Sequence, residues 1–163
     1  MDPLPLAEST CLCLVAEHAD GVHGWHLVRD LAPEGDIGRI WSLSRPLTYR
    51  ALDRLEGAAL VTRDRSSRRH ILQVTKQGRR IRDAFLDAPV DHIRDLRTAF
   101  LVKCSLRQRA GLPIGDLARR QLDHLDDRLD ALVRAGSSDD IVLAWRSTSA
   151  AATRDFLATL GSS

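Results

Sequence analysis

Lysine is almost missing from this sequence. Of the 24 basic residues among 163, only Lys76 and Lys103 are lysine; the others are arginine. The codon bias of a GC-rich genome accounts for such a total, so the count alone assigns no partner. Cysteine is scarce and odd in number. Cys11, Cys13 and Cys104 do not make a disulfide framework, and a reducing cytoplasm is the expected setting. No apolar run approaches the ~18 residues that a membrane span needs. The opening Met1-Asp2-Pro3-Leu4-Pro5 carries no basic stretch, so no secretory signal is expected. There is no Gly-rich phosphate loop, nucleophile elbow or metal-hydrolase motif, so neither an enzyme nor a cofactor is expected. What is present is ordinary globular material, 44% hydrophobic and 28% charged. The length suits one domain, or one small domain with an appended element.

The net charge of +2 hides a strong pattern. Residues 1–38 carry one basic residue, Arg29, against seven acidic ones, a net −6. Residues 39–82 carry twelve basic residues against Asp53, Glu56 and Asp64, a net +9. Residues 83–163 carry eleven basic and twelve acidic residues, a net −1. A basic block inside a near-neutral chain is the footprint of a surface for a polyanion.

Apolar spacing predicts a helix over Leu6 to His18, broken at Asp20-Gly21. A second helix starts near Gly24, with Trp25, Leu27, Val28 and Leu31 on its apolar side, and ends at Pro33-Glu34-Gly35. The stretch from Gly38 to Leu43 reads as a turn with a single bridge of strand. Ser44 is placed to cap a third helix, and Pro46 suits its first turn. Leu47, Ala51, Leu52 and Leu55 form that helix's buried stripe, and Thr48, inside the apolar sector, is expected to bond back to a carbonyl. Leu60–Arg63 and His70–Val74 read as two strands around a polar tip, and Thr75 caps a helix over Lys76 to Phe85. Three helices followed by a hairpin is the layout of a winged helix-turn-helix domain, whose third helix is the reading head. The expected fold class is therefore mainly α with a small β-hairpin.

Pro89 marks the expected boundary region, giving a DNA-binding domain over 1–86 and a helical dimerisation domain over 87–163. Leu122, Leu125, Leu129 and Leu132 follow a 3-4-3 spacing, a short heptad-like seam. Asp139 or Asp140 caps the last helix, where Ile141, Trp145, Ala152, Phe156 and Leu160 lie on one side. A leucine seam is costly to expose, so these residues, with Trp145 and Phe156, are expected to pair two copies into a homodimer.

On the third helix Ser44, Arg45, Tyr49, Arg50 and Arg54 surround the solvent side. Arg65, Arg68, Arg69 and His70 lie at the wing. Arginine can pair bidentately with guanine, and both Arg and Tyr reach phosphates. These nine residues are the expected contacts to double-stranded DNA. Trp25 is expected in the core. Trp41 precedes the reading helix and either packs under it or meets a ligand.

Four segments resemble one family. His23-Gly24-Trp25-His26-Leu27-Val28 resembles the start of the second helix in PadR-type transcriptional regulators. Tyr49-Arg50-Ala51-Leu52-Asp53-Arg54-Leu55-Glu56 is similar to their reading-helix motif. Ala59-Leu60-Val61 and Leu72-Gln73-Val74-Thr75-Lys76-Gln77-Gly78-Arg79 resemble the strand before the wing and the segment after it. The likeness covers residues 4–82. Thr48 stands where the family has an apolar residue, and Ala58-Ala59 replaces its glycine before the strand. The resemblance implies a homodimeric repressor on a palindromic operator, released in some members by a small aromatic molecule. The implied effector pocket lies near the dimer interface, where Trp145 is a candidate; Trp41, before the reading helix, is a second candidate effector contact.

Two other classes compete. A helical module that pairs with another protein and touches no DNA would explain the neutral C-terminal half. A sensor using Cys11, Cys13, Cys104, His18, His23 or His26 would explain the thiols and imidazoles. However, Cys11 and Cys13 are two apart on a helix and point apart, and no familiar metal spacing appears, so no metal is expected. Asp123, Asp126, Asp127 and Asp130 are spaced as a solvated helix face.

Overall fold

Helix α1 (Leu6–Ala16) is buried from Glu8 to Ala16, with polar Glu8, Ser9 and Thr10 among apolar residues. It packs against α3 (Arg45–Gly57), α4 (Lys76–Asp87), α5 (Ala99–Arg109) and the sheet. A helix covered all round lies at the centre of a core rather than on a face. The computed structural model describes residues 4–66, 70–136 and 140–162. The chain divides into two compact units. One runs up to Ala88 and includes Arg97–Gly111; the other joins Pro89–Leu96 to the residues from Leu112 on.

In the first unit the element order is α1, β1 (Val22–His23), α2 (Gly24–Asp30), α3, β2 (Val61–Asp64), β3 (Ile71–Val74), α4 and α5. The strands form one antiparallel sheet in the order β1-β3-β2, with Val22 opposite Leu72 and Val61 opposite Val74. The bridge expected between Gly38 and Leu43 is not there; that stretch is turns. The short strand lies at Val22–His23 instead. Gly21 admits it with φ +88, and a Cβ on Gly21 would lie 2.4 Å from the Ile71 side chain.

Helix α3 buries Thr48, Ala51, Leu52 and Leu55. Leu47, expected in that stripe, is 44% exposed. The stripe is rotated by one residue towards Thr48, whose hydroxyl donates to the Ser44 carbonyl at 3.1 Å. That bond satisfies a hydroxyl that is otherwise costly to bury. Ser44 holds the cap position, but its side chain makes no cap bond. After α3 the chain turns through Ala59 at φ +56, a left-handed position that glycine would occupy without strain. Thr75 caps α4 by accepting from the Gly78 amide at 3.0 Å. A Cβ on Gly78 would sit 2.2 Å from the Leu60 carbonyl, so the Thr-x-x-Gly pattern combines a cap with a close backbone approach.

Helix α5 belongs with this unit: Val102 and Leu106 are buried in its core, and two cations reach the end of α4. Lys103 donates to the Ala88 carbonyl at 2.6 Å and Arg107 to the Leu86 carbonyl at 3.1 Å. Both cations thus satisfy open carbonyls at the C-terminal end of α4, where the helix dipole favours positive charge. Arg109 bridges Glu17 at 2.7 Å and Asp30 at 2.8 Å.

The second unit is built on α6 (Gly115–Arg134) and α7 (Ile141–Gly161). They run antiparallel: Ser147 bonds the Val133 carbonyl, and Arg154 pairs with Asp126 and Asp130. Asp140 caps α7 by accepting from the Val142 amide at 2.8 Å. Leu125 and Leu129 are fully buried with Ala150 of α7, and Leu122 and Leu132 pack on that cluster. The seam expected to face a second copy is therefore covered by the chain's own last helix. Buried Gln121 closes both hydrogen bonds of the Val90 backbone, at 2.7 and 2.9 Å.

Candidate nucleic-acid interface

The basic residues of segment 39–82 divide into a paired set and a free set. Arg54 donates to Glu8 of α1 at 2.7 Å, and Glu8 is buried. This pair anchors α3 to α1, since removing Arg54 would leave a buried carboxylate uncompensated. Arg63 of β2 meets Asp53 at 2.7 Å and Glu56 at 3.3 Å, and Arg65 meets Glu56 at 2.7 Å. Asp53 and Glu56 thus clamp the hairpin against the reading helix. Nothing in local spacing marks such pairs, because their partners are separated along the chain; Arg63 and Glu8 are contributors that sequence reading missed.

Among the described residues, Arg39, Arg45, Arg50, Lys76, Arg79 and Arg80 have no ion-pair partner, and Arg39 bonds only the Asp36 carbonyl. Arg45 and Arg50 stand exposed on α3, with the Arg45 guanidinium 5.8 Å from the Tyr49 ring. Arg45 opens the helix, and no acidic residue lies in its first turn. A cation there opposes the helix dipole. A local rule broken at an exposed position is characteristic of a functional surface. Ser44 is exposed beside them. Tyr49 does not stand free: it is half-buried and packs against the core. His70 is exposed at the start of β3, and its carbonyl accepts from His23 Nδ1 at 3.2 Å. Arg68 and Arg69 lie outside the described residues.

Between α2, α3 and the hairpin lies an open cavity of about 560 Å³, lined among others by His23, Trp25, His26, Tyr49, Arg63 and His70. Trp25, expected in the core, is 55% exposed at this site. The reason is angular. At 100° per residue it falls roughly 160–200° from Leu27, on the opposite side of a short helix. Arg29 lies 5.2 Å from its ring. Trp41 packs against the core of the first unit. In the second unit Ile141, Trp145 and Phe156 of α7 are 83%, 72% and 46% exposed and share one face of the helix, with Ser149 and Ala152 between Trp145 and Phe156.

The three thiols are buried. Burial pushes Cys11 up to about 12 and Cys104 up to about 11, and raises Cys13 as well. A thiol that cannot ionise is a poor nucleophile and a poor metal ligand. Among the described residues no group of three His, Cys, Asp or Glu could hold a metal ion. All three thiols should resist a disulfide-exchange reagent at pH 8 until the protein is denatured. The sign of the pH dependence follows. Above about pH 8.5 the unfolded chain loses thiol protons that the folded chain keeps, so stability falls as pH rises, by up to roughly 1.4 kcal/mol per pH unit per thiol. Alkaline denaturant titrations of the wild type and of Cys11→Ala would measure it; an unchanged slope in the variant would contradict the assignment.

A short three-stranded sheet, a tri-helical body and a hairpin clamped to the third helix define a winged helix-turn-helix fold. No family model matches the sequence, and no curated protein matches it. Among solved structures the chain is similar to Bacillus subtilis PadR in complex with operator DNA, at 17% identity and a TM-score of 0.47, over 94% of this chain and 97% of that one. It is also similar to the same protein in complex with p-coumaric acid, at 17% identity and a TM-score of 0.48, over 97% of this chain and 98% of that one.

Proposed function

We propose that this protein is a sequence-specific, DNA-binding transcriptional regulator, acting as a homodimeric repressor on a palindromic operator. One observation carries the reading: among the described residues Arg45 and Arg50 stand exposed and without an ion-pair partner on the reading helix, inside a segment of net charge +9. Acidic partners neutralise Arg54, Arg63 and Arg65 nearby, yet none reaches these two. Such arginines suit guanine edges and phosphates. Pairing of copies is assigned to the apolar stripe of α7 rather than to the leucine seam of α6. A regulator released by a small aromatic molecule would have the open indole of Trp145 as a stacking surface.

Selection of bound duplexes from a random-sequence pool tests the proposal. The expected product is an inverted repeat whose half-sites are one helical turn, about 34 Å, apart. A pool with no enriched sequence would overturn it.

A further inference from the structure

Three imidazoles (His23, His26 and His70), the Tyr49 phenol and the Arg63 guanidinium line the cavity between α2, α3 and the hairpin, beside apolar Trp25, Leu52 and Leu72; among the described residues no carboxylate lines it, and Asp53 and Glu56 reach it only as the partners of Arg63. With its imidazoles protonated, such a wall becomes a set of charged donors that suits an anion. The cavity opens between the two elements assigned to DNA, the reading helix and the hairpin. When a helix lies in the major groove and a hairpin reaches the next groove, one sugar–phosphate strand must run between them. We propose that this cavity seats a phosphodiester of that strand, and that seating it takes up a proton at His23. The inference rests on the DNA-binding reading above.

The proton follows from hydrogen-bond chemistry. A carbonyl only accepts, so His23 Nδ1, 3.2 Å from the His70 carbonyl, carries a hydrogen. In the neutral ring Nε2 is then a lone pair, which repels a phosphate oxygen. Protonation makes it a charged donor. Histidine is the side chain whose ordinary ionisation falls between pH 5 and 8. His26 stacks near His23, with centroids 6.4 Å apart and ring planes 20° apart. An anion seated beside an imidazole favours its charged form, which couples the proton to the phosphate. Other charged groups face the cluster from each element. From α2 comes Arg29, over Trp25. From α3 come Tyr49, and Asp53 and Glu56 as the partners of Arg63. From β2 come Arg63 and Asp64, the latter interacting electrostatically with His70.

The test uses the full chain and a labelled duplex of about three helical turns, with binding read by fluorescence anisotropy at fixed ionic strength. Affinity should rise as pH falls from about 8 to about 5.5, by up to about tenfold per pH unit for each coupled proton. His23→Gln, which keeps a donor for the His70 carbonyl, should flatten the profile. His26→Gln should reduce its slope, and His18→Gln, outside the cavity, should leave it unchanged. Circular dichroism checks that each variant is folded. A flat wild-type profile, or a full slope in folded His23→Gln and His26→Gln, would overturn the phosphate seat while leaving DNA binding intact. No binding at any pH would overturn both readings. In a second arm, inorganic phosphate replaces the duplex. If inorganic phosphate shifts the imidazole NMR signals and the duplex does not, the cavity belongs to a free anion and the DNA-strand assignment fails; a shift by the duplex supports the phosphate seat.

Discussion

Replacing Arg45 and Arg50 together with glutamate should weaken duplex DNA binding by about 2–6 kcal/mol, the sum expected for two base- or phosphate-reading arginines. The same change should not weaken the fold. Arg45 stands at the first position of α3 with no acidic neighbour in that turn. A carboxylate there is favoured by the helix dipole by about 0.3–1 kcal/mol. Among the described residues neither arginine has an ion-pair partner to lose, in contrast with Arg54, whose removal would strand the buried Glu8. Binding and melting temperature should therefore move apart: binding falls sharply while the melting temperature holds or rises. Anisotropy titrations and thermal melts on the same preparation measure both. Unchanged affinity would mean that DNA, if bound, meets another face.

The second large effect lies in the C-terminal unit. Leu125→Ala or Leu129→Ala should each cost about 3–5 kcal/mol of unfolding free energy, because each side chain is fully buried against α7 and its loss leaves a cavity. Trp145→Arg should leave the stability of the single chain within about 0.5 kcal/mol, as expected for an exposed position. It should instead shift copies towards monomer, because a desolvated arginine opposes an apolar interface. Denaturant unfolding and sedimentation separate the two effects. If Leu129→Ala were nearly silent on stability while dissociating the protein, the seam would be an interface and the α7 assignment would be wrong.

These two results bear on what local sequence can say. A 3-4 leucine spacing states that a helix must be covered; it does not say by which chain. Here α7 of the same chain provides the cover, and the apolar stripe left outside is on α7. Helix α3 was legible almost residue by residue, down to the Thr48 back-bond, because turn chemistry and period act within a few residues. Leu47 failed because a hydroxyl that satisfies itself at Ser44 can replace it in the core. Trp25 failed because its size suggested burial while its helical angle pointed outward. The strand at Val22–His23 carries no period to detect in two residues. The pairs Glu8–Arg54 and Asp53–Arg63 join elements distant in sequence, so the basic block could be located but its free members could not be sorted. Helix α5 was expected beyond the boundary near Pro89. It packs with the first unit because Val102 and Leu106 enter that unit's core and Lys103 and Arg107 satisfy the end of α4; apolar spacing shows that α5 must be covered but not by which elements.

The central claim is that this basic head binds DNA through charge, and the salt dependence of duplex affinity tests it most directly. Each phosphate neutralised contributes about −0.9 to the slope of log affinity against log salt. A head that neutralises several phosphates should give a slope of about −4 or steeper per dimer, and Arg45→Glu with Arg50→Glu should make it shallower by about 2 or more. A slope near zero, unchanged in the double variant, would contradict the account.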